Sequence, residues 1–179
     1  MIDKNVVLEG ETVILRECRE NDCNTIYLSW LNDPNVNKYL ETRWTEQTLE
    51  KIISFVSEIH KSDHSILFAI IYCDNNTHIG NIKLGPIHPH YNYADVSYFI
   101  GDCNYWGKGI ATEAIKLVKD YAFDVLGLHR VQAGLFEENV GSKKALEKAG
   151  FILEGRQRKQ LRINENDKWQ DNLIFGAVK

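Results

Sequence analysis

The chain is poor in several things, and each shortage excludes a class of protein. Only 3 prolines and 12 glycines occur among 179 residues, so no proline- or glycine-rich linker divides the sequence. Its length suits a single domain spanning 1–179. No apolar run approaches the roughly 20 residues of a membrane span. Met1 to Gly10 carries charges and lacks an apolar stretch, so no export leader is read there. The 4 cysteines, Cys18, Cys23, Cys73 and Cys103, form no C-x-x-C pair. Free buried thiols in a cytoplasmic protein are the expectation. A cationic excess is also missing. With a net charge of −4, a general nucleic-acid binder is disfavoured. His88-Pro89-His90 lacks the further ligands of a metal centre, and no metal is expected. His60 and His64 stand four apart, but without the adjoining Glu of a metalloprotease helix.

What is present is ordinary globular composition, 44% hydrophobic and 26% charged. Thr12 to Cys18 reads as a first strand. Asp22 is placed to cap a helix running to Leu31. A second helical region follows from Pro34 to Leu40. Thr45 opens a longer helix whose apolar positions Leu49, Ile52, Ile53, Val56 and Ile59 repeat at helical spacing. Strands are expected at Ser65–Cys73, His78–Ile87 and Ala94–Gly101. Ile110, Ala114, Leu117, Val118, Tyr121, Ala122 and Val125 mark an amphipathic helix that Gly127 ends. Arg130–Phe136 is a strand, Asn139 starts a helix, and Gly150 closes it. Phe151 onward is extended, with Lys168–Val178 as its hairpin partner. This order makes an α/β (α+β) domain around one central sheet of about seven strands, flanked by helices.

Between the strand ending near Gly101 and the helix beginning near Gly109 lies Asn104-Tyr105-Trp106-Gly107-Lys108-Gly109-Ile110-Ala111-Thr112. Glycine admits positive φ and close approach of a ligand to the backbone. A helix start presents unpaired N–H groups and partial positive charge. Together they form an anion cradle, to which Lys108 adds a cation and Thr112 a hydroxyl. A bare strand-to-helix turn is the plain alternative. Two better-known phosphate motifs fail. The P-loop spacing is absent, and the dinucleotide fingerprint needs a glycine where Thr112 stands. The position after four strands suits a mononucleotide or coenzyme A.

The run Tyr105 to Ala114 resembles the acetyl-CoA signature of the GNAT acetyltransferase superfamily, most closely the branch of ribosomal-protein N-terminal acetyltransferases. Ala94–Ile100 resembles the strand before that signature. Tyr121–Phe123 with Leu126–Val131 resembles the following helix-to-strand passage. Glu138–Ser142 through Leu146–Phe151 resembles the next helix and its exit. The chain departs from the pattern at Asn104, where Arg or Gln is usual, and at Leu146, near the place of a general-acid Tyr.

The resemblance implies direct transfer of an acetyl group from acetyl-CoA to an amine, mostly antiparallel strands in the sheet, and a monomer or homodimer. The cofactor would meet Phe99, Ile100, Trp106, Gly107, Lys108, Gly109, Ile110, Ala111, Thr112, Asn139 and Ser142. The Trp106 ring is expected to pack beneath the loop. Asn139 would hold the pantetheine arm, or serve only as a helix N-cap. A backbone N–H between Ser97 and Ile100 would stabilise the oxyanion. Asp95 is the candidate base, because an ammonium must lose a proton before it attacks. Ser142 is the candidate hydroxyl at the departing thiolate. Tyr98 would orient the amine or fill the core. Arg156, Arg158 and Arg162 on one side of an extended segment read as a solvated face or an anion contact. Tyr27/Trp30 and Tyr39/Trp44 read as core or as walls of the acceptor cleft.

Three functions follow. The acceptor is a small amine, with an amino sugar on a nucleotide as one form. Alternatively it is a protein N-terminus, as on a ribosomal protein. The third is a silent acyl-CoA-binding module.

Overall fold

The computed structural model describes residues 2–166 and 168–179. Strands β1 (Val7–Glu9), β2 (Val13–Glu17), β3 (Ile66–Tyr72), β4 (Thr77–His88), β5 (Tyr93–Ile100), β6 (Arg130–Phe136), β7 (Ile152–Leu161) and β8 (Gln170–Val178) form one sheet. Their order is β1-β2-β3-β4-β5-β6-β8-β7. Helices α1 (Thr25–Asn32), α2 (Pro34–Asn37) and α3 (Leu49–Lys61) precede β3. Helix α4 (Ile110–Asp120) joins β5 to β6, and α5 (Val140–Lys148) joins β6 to β7.

The sheet is covered on both sides. Strand β3 is apolar nearly throughout and buried from Ile66 to Ile71, as a strand with two covered faces must be. On one face Leu15, Phe68, Ile82, Leu84, Val96 and Phe175 meet Ile115 and Val118 of α4 and Leu146 of α5. On the other, Leu67, Ala69 and Ile71 meet Tyr27, Trp30 and Leu31 of α1 and Ile52 and Val56 of α3.

Only β5 and β6 run parallel. They pair at Tyr93↔Arg130, Ala94↔Val131 and Asp95↔Gln132, and there the ladder stops. Both strands continue, β5 paired to β4 as far as Ile100↔Gly80 and β6 to β8 as far as Phe136↔Asn172. The two strands therefore splay. Beyond Asp95, alternate residues of β5 turn N–H and C=O groups toward a gap that no strand fills.

Several expectations shift. The eighth strand is β1, a three-residue segment paired to β2. Asp22 does not cap α1, because its carboxylate is bound by the Arg16 guanidinium at 2.7 and 2.8 Å. Asn24 caps instead, its side chain accepting from Ile26 and Tyr27. Thr48, not Thr45, caps α3. The second helical region stops at Asn37 rather than Leu40. The helix after the glycine loop is α-helical only to Asp120 and ends in a wide π-turn, Tyr121–Val125, with Leu126 N–H bonded to Tyr121 O. Cys18 is buried as expected, but Cys73 and Cys103 are exposed. No helix among the described residues is long and apolar enough to cross a membrane.

Candidate functional site

The glycine loop leaves β5 at its splayed end. Trp106 turns its indole N–H back onto the Ile100 carbonyl, at 2.8 Å, but the residue stays exposed, so the ring is not buried beneath the loop as expected. Gly107 and Gly109 have φ of +73° and +82°. Nothing lies within 4 Å of where a Cβ would stand on either, so the space above them is open. Gly109 is the N-cap of α4, and no side chain among the described residues caps that end. The N–H groups of Ile110, Ala111 and Thr112 are thus left for a ligand, at the positive end of the helix dipole. The Lys108 ammonium waits beside the loop, 5.3 Å from the centre of the Tyr105 ring. Glu113 is the one acid in the first turn. Its carboxylate is taken up by the Thr12 amide, at 2.9 Å, and by the Thr12 hydroxyl, which fastens the helix start to the β1–β2 turn.

Of the three residues read as catalytic, the structure brings Tyr98 and Ser142 together and sets Asp95 apart from them. Asp95 and Tyr98 are three apart on one strand, so they point to opposite faces of the sheet. Tyr98 lies on the face covered by α4 and α5. Its hydroxyl is 2.6 Å from Ser142 Oγ, across the splay. Burial pushes the Tyr98 phenol up to about 12, opposed in part by the bond to Ser142. It therefore stays protonated and serves as a hydrogen-bond donor. Its hydroxyl lies on the opposite face of the sheet from Asp95. Asn139 is the N-cap of α5, its Oδ1 accepting from Ser142 N–H at 3.1 Å. The cap uses its Oδ1 and not its Nδ2. Leu146 is fully buried in the core and offers no acid. Phe99 packs its ring among Tyr27 and Trp30, so the ring is engaged in the core. The Ile100 carbonyl is spent on Trp106.

Tyr98→Phe is expected to lower kcat about tenfold, the weight of one hydrogen bond of about 1.4 kcal/mol. Acetyl-CoA affinity should stay within twofold. Titration calorimetry alongside thiol-release kinetics separates the two.

The face that carries Asp95 is differently furnished. Gln132 Nε2 donates to Asp95 Oδ1 at 2.9 Å, and His88 Nε2 lies 3.9 Å from Oδ2. Farther along β6, Gly134 is exposed in mid-strand. A Cβ there would stand 3.1 Å from Asn172 Oδ1, so glycine keeps the floor low. Asn172 Nδ2 donates to Gln157 and Gln160 at 2.9 and 2.8 Å. Beyond them Phe136 packs on Tyr39. The lining is one half-exposed carboxylate, several amides and an aromatic end wall.

Arg43 closes that end. Its side chain is 7% exposed. The guanidinium donates to the carbonyls of Leu40, Arg162 and Ile163 at 2.6, 2.8 and 2.8 Å. It also lies over the rings of Trp44 and Phe136. One side chain thus ties the segment after α2 to the β7–β8 connection and to the end of β6. Arg43→Met is expected to cost about 3 kcal/mol, since buried carbonyls lose their donor at about 1–3 kcal/mol each. At a few degrees per kcal/mol that lowers the melting temperature by roughly 10 °C. Scanning calorimetry checks it.

Neither Gln132, Asn172, Phe136 nor Arg43 was singled out by the sequence. Alternation along β6 puts Gln132, Gly134 and Phe136 on one face, but only the β5–β6 pairing shows that Asp95 shares it. The Arg156 run is not one solvated face. A bulge between Gln157 and Leu161 breaks its alternation, with Lys159 at φ +52°. Arg156 is bound by Glu137 and Asp171. Arg162 lies over Trp169. Tyr27 and Trp30 are core, whereas Trp44 is exposed under Arg43.

Comparison with known proteins agrees with this geometry. Residues 12–152 match the Acetyltransferase (GNAT) domain. The probable N-acetyltransferase YjcK of Bacillus subtilis is 34% identical over 178 residues, covering 96% of this chain and 97% of that protein. The ribosomal-protein-S5-alanine acetyltransferase of Vibrio fischeri superposes with a TM-score of 0.76 at 26% identity, covering 97% and 96% of the two chains. The spermidine N-acetyltransferase of Vibrio cholerae, in complex with CoA and spermine, superposes with a TM-score of 0.81 at 22% identity, covering 94% and 96%.

Proposed function

The chain belongs to the GNAT family of N-acetyltransferases, whose co-substrate is acetyl-CoA, and on that premise we propose that it acetylates the primary amine of a small, hydroxyl-bearing molecule. An amino sugar carried on a nucleotide is the fitting chemistry. The observation that carries this reading is the amide-rich face beside Asp95. Gln132, Asn172, Gln157 and Gln160 offer neutral donors and acceptors of the kind that match hydroxyl groups.

A polyamine fits less well. Its several ammonium groups call for several carboxylates, and Lys83 stands opposite Ser97 on the same face as Asp95. The Arg43 tie across one end of the cleft supports a compact acceptor over a protein N-terminus.

In the proposed reaction the thioester carbonyl lies in the splay between β5 and β6. The amine approaches from the Asp95 face, and the thiol leaves on the Tyr98–Ser142 face. Asp95 takes the ammonium proton, freeing the lone pair. The nitrogen bonds to the carbonyl carbon, and a backbone N–H of β5 between Ser97 and Ile100 receives the developing oxyanion. The C–S bond then breaks, and the bonded Ser142–Tyr98 hydroxyl pair donates one hydrogen bond to the sulfur, the other O–H being held within the pair.

The test is CoA thiol release from acetyl-CoA with a panel of amines: a nucleotide-linked amino sugar, spermidine, and a peptide with a free N-terminal Ser or Ala. Release with the amino sugar is the expected result. Release with the peptide alone moves the assignment to protein N-termini, and release with spermidine alone moves it to polyamines. Tight acetyl-CoA binding without release for any amine marks a silent binding module.

A further inference from the structure

We propose that His88 is the proton outlet of this site, taking from Asp95 the proton removed from the attacking ammonium and passing it to solvent. The inference rests on Asp95 acting as the base.

The reaction obliges a proton to leave. An ammonium and acetyl-CoA give an amide, the CoA thiol and one proton per turnover. The nitrogen sheds two protons: one to Asp95, which uncovers the lone pair that makes the C–N bond, and one as the tetrahedral adduct collapses. The C–S pair leaves on sulfur and takes up the equivalent of the second, so the proton on Asp95 is the one left over. Asp95 must then shed its proton before the next amine binds. An acceptor seated over Asp95 separates it from bulk water, so the exit has to lie to one side.

The geometry supplies that side. The two carboxylate oxygens of Asp95 have different neighbours. Gln132 holds Oδ1 at 2.9 Å. Oδ2 faces His88 Nε2 at 3.9 Å, about an ångström beyond a hydrogen bond. The imidazole is not loose. His88 and Tyr93 are paired across β4 and β5, and their rings stack with centres 4.3 Å apart and planes 16° apart. Stacking fixes the plane of the ring, while its 39% side-chain exposure leaves it in touch with water. Imidazole accepts at one nitrogen and donates at the other, which a relay requires.

The other titratable groups on neighbouring elements are paired or are placed away from the Asp95–His88 contact. Arg130 on β6 is paired with Glu154 on β7. Lys83 lies farther up β4, opposite Ser97. The phenol of Tyr93 lies beneath the imidazole. His64 meets β4 through its carbonyl, bonded to Ile87 N–H. His90 stands in the turn that follows His88.

His88→Gln keeps size and polarity but carries no proton. With the fastest amine of the panel, it should lower kcat about tenfold or more in dilute buffer, with KM for acetyl-CoA unchanged. Added imidazole should restore kcat in this variant in a saturable way and leave the unsubstituted protein unaffected. Unaltered kcat at every buffer concentration overturns the outlet. So does a loss that imidazole fails to restore, because packing alone would then explain it. Asp95→Asn keeps the two ideas apart. If Asp95→Asn turns over normally, the base reading itself fails. If it is impaired while His88→Gln is not, only the outlet fails.

Discussion

Gly109→Asp should weaken acetyl-CoA binding about a thousandfold in a protein that remains folded. Gly109 sits at φ +82° with open space where its side chain would be. Aspartate is among the few residues that tolerate this conformation, and it is a favoured N-cap, so α4 keeps its start. Its carboxylate, however, would occupy the cradle. It would accept the first-turn N–H groups itself and repel a pyrophosphate. Two charge-assisted hydrogen bonds at about 1.5–3 kcal/mol each amount to roughly 4 kcal/mol, or about 10³ in the dissociation constant. Titration calorimetry reads the affinity, and a melting curve without ligand reads the fold. Binding within tenfold of the unsubstituted protein would mean that the pyrophosphate lies elsewhere.

Asp95→Asn should lower kcat by about 10²–10⁴ near neutral pH, the range of a lost general base. Asparagine keeps the shape, and its Oδ1 still accepts from Gln132. What disappears is the proton acceptor. The sign of the pH dependence is informative. Raising the pH supplies amine that is already neutral, so the variant should recover relative to the unsubstituted enzyme as pH climbs. Acetyl-CoA affinity should not move, since Asp95 faces away from α4 and Tyr98. A kcat within threefold at neutral pH would sink the assignment.

The parts legible in the sequence are those where a local pattern decides the outcome. Strand β6 is bounded as expected, Arg130–Phe136, because its alternation is clean and Gly127 ends the preceding turn at φ +67°. The glycine loop was readable because positive φ and an uncapped helix start are local properties. Asn139 was legible as a cap for the same reason. Where two residues compete for one local role, the pattern gave no ruling. Asp22 and Asn24 both suit an N-cap, and the choice was made by Arg16, six residues upstream on β2. Strand β1 was missed because Val7-Leu8-Glu9 is short and half-covered, and only its pairing to β2 makes it a strand.

The candidate site divides along the same line. Its candidate cofactor half lies on one strand, one loop and the starts of two helices, α4 and α5. Its acceptor half is assembled from β4, β5, β6, β7, β8 and the segment after α2. Arg43 illustrates the difference. In sequence it is a charge between Thr42 and Trp44, and its carbonyl partners at Arg162 and Ile163 are about 120 residues away.

The early end of the β5–β6 ladder makes the sheet mechanically two leaves. One leaf runs from β1 to β5 and the other contains β6, β8 and β7, joined by three residue pairs at one corner. Across the rest of the seam, helix packing holds the leaves and no backbone ladder bond among the described residues spans them. A CoA arm bears amides of its own and can lie along the open edge as a temporary strand. If the arm binds there, loading the co-substrate would stiffen the seam and discharging it would let the leaves relax, making the binding cycle also a cycle of elasticity.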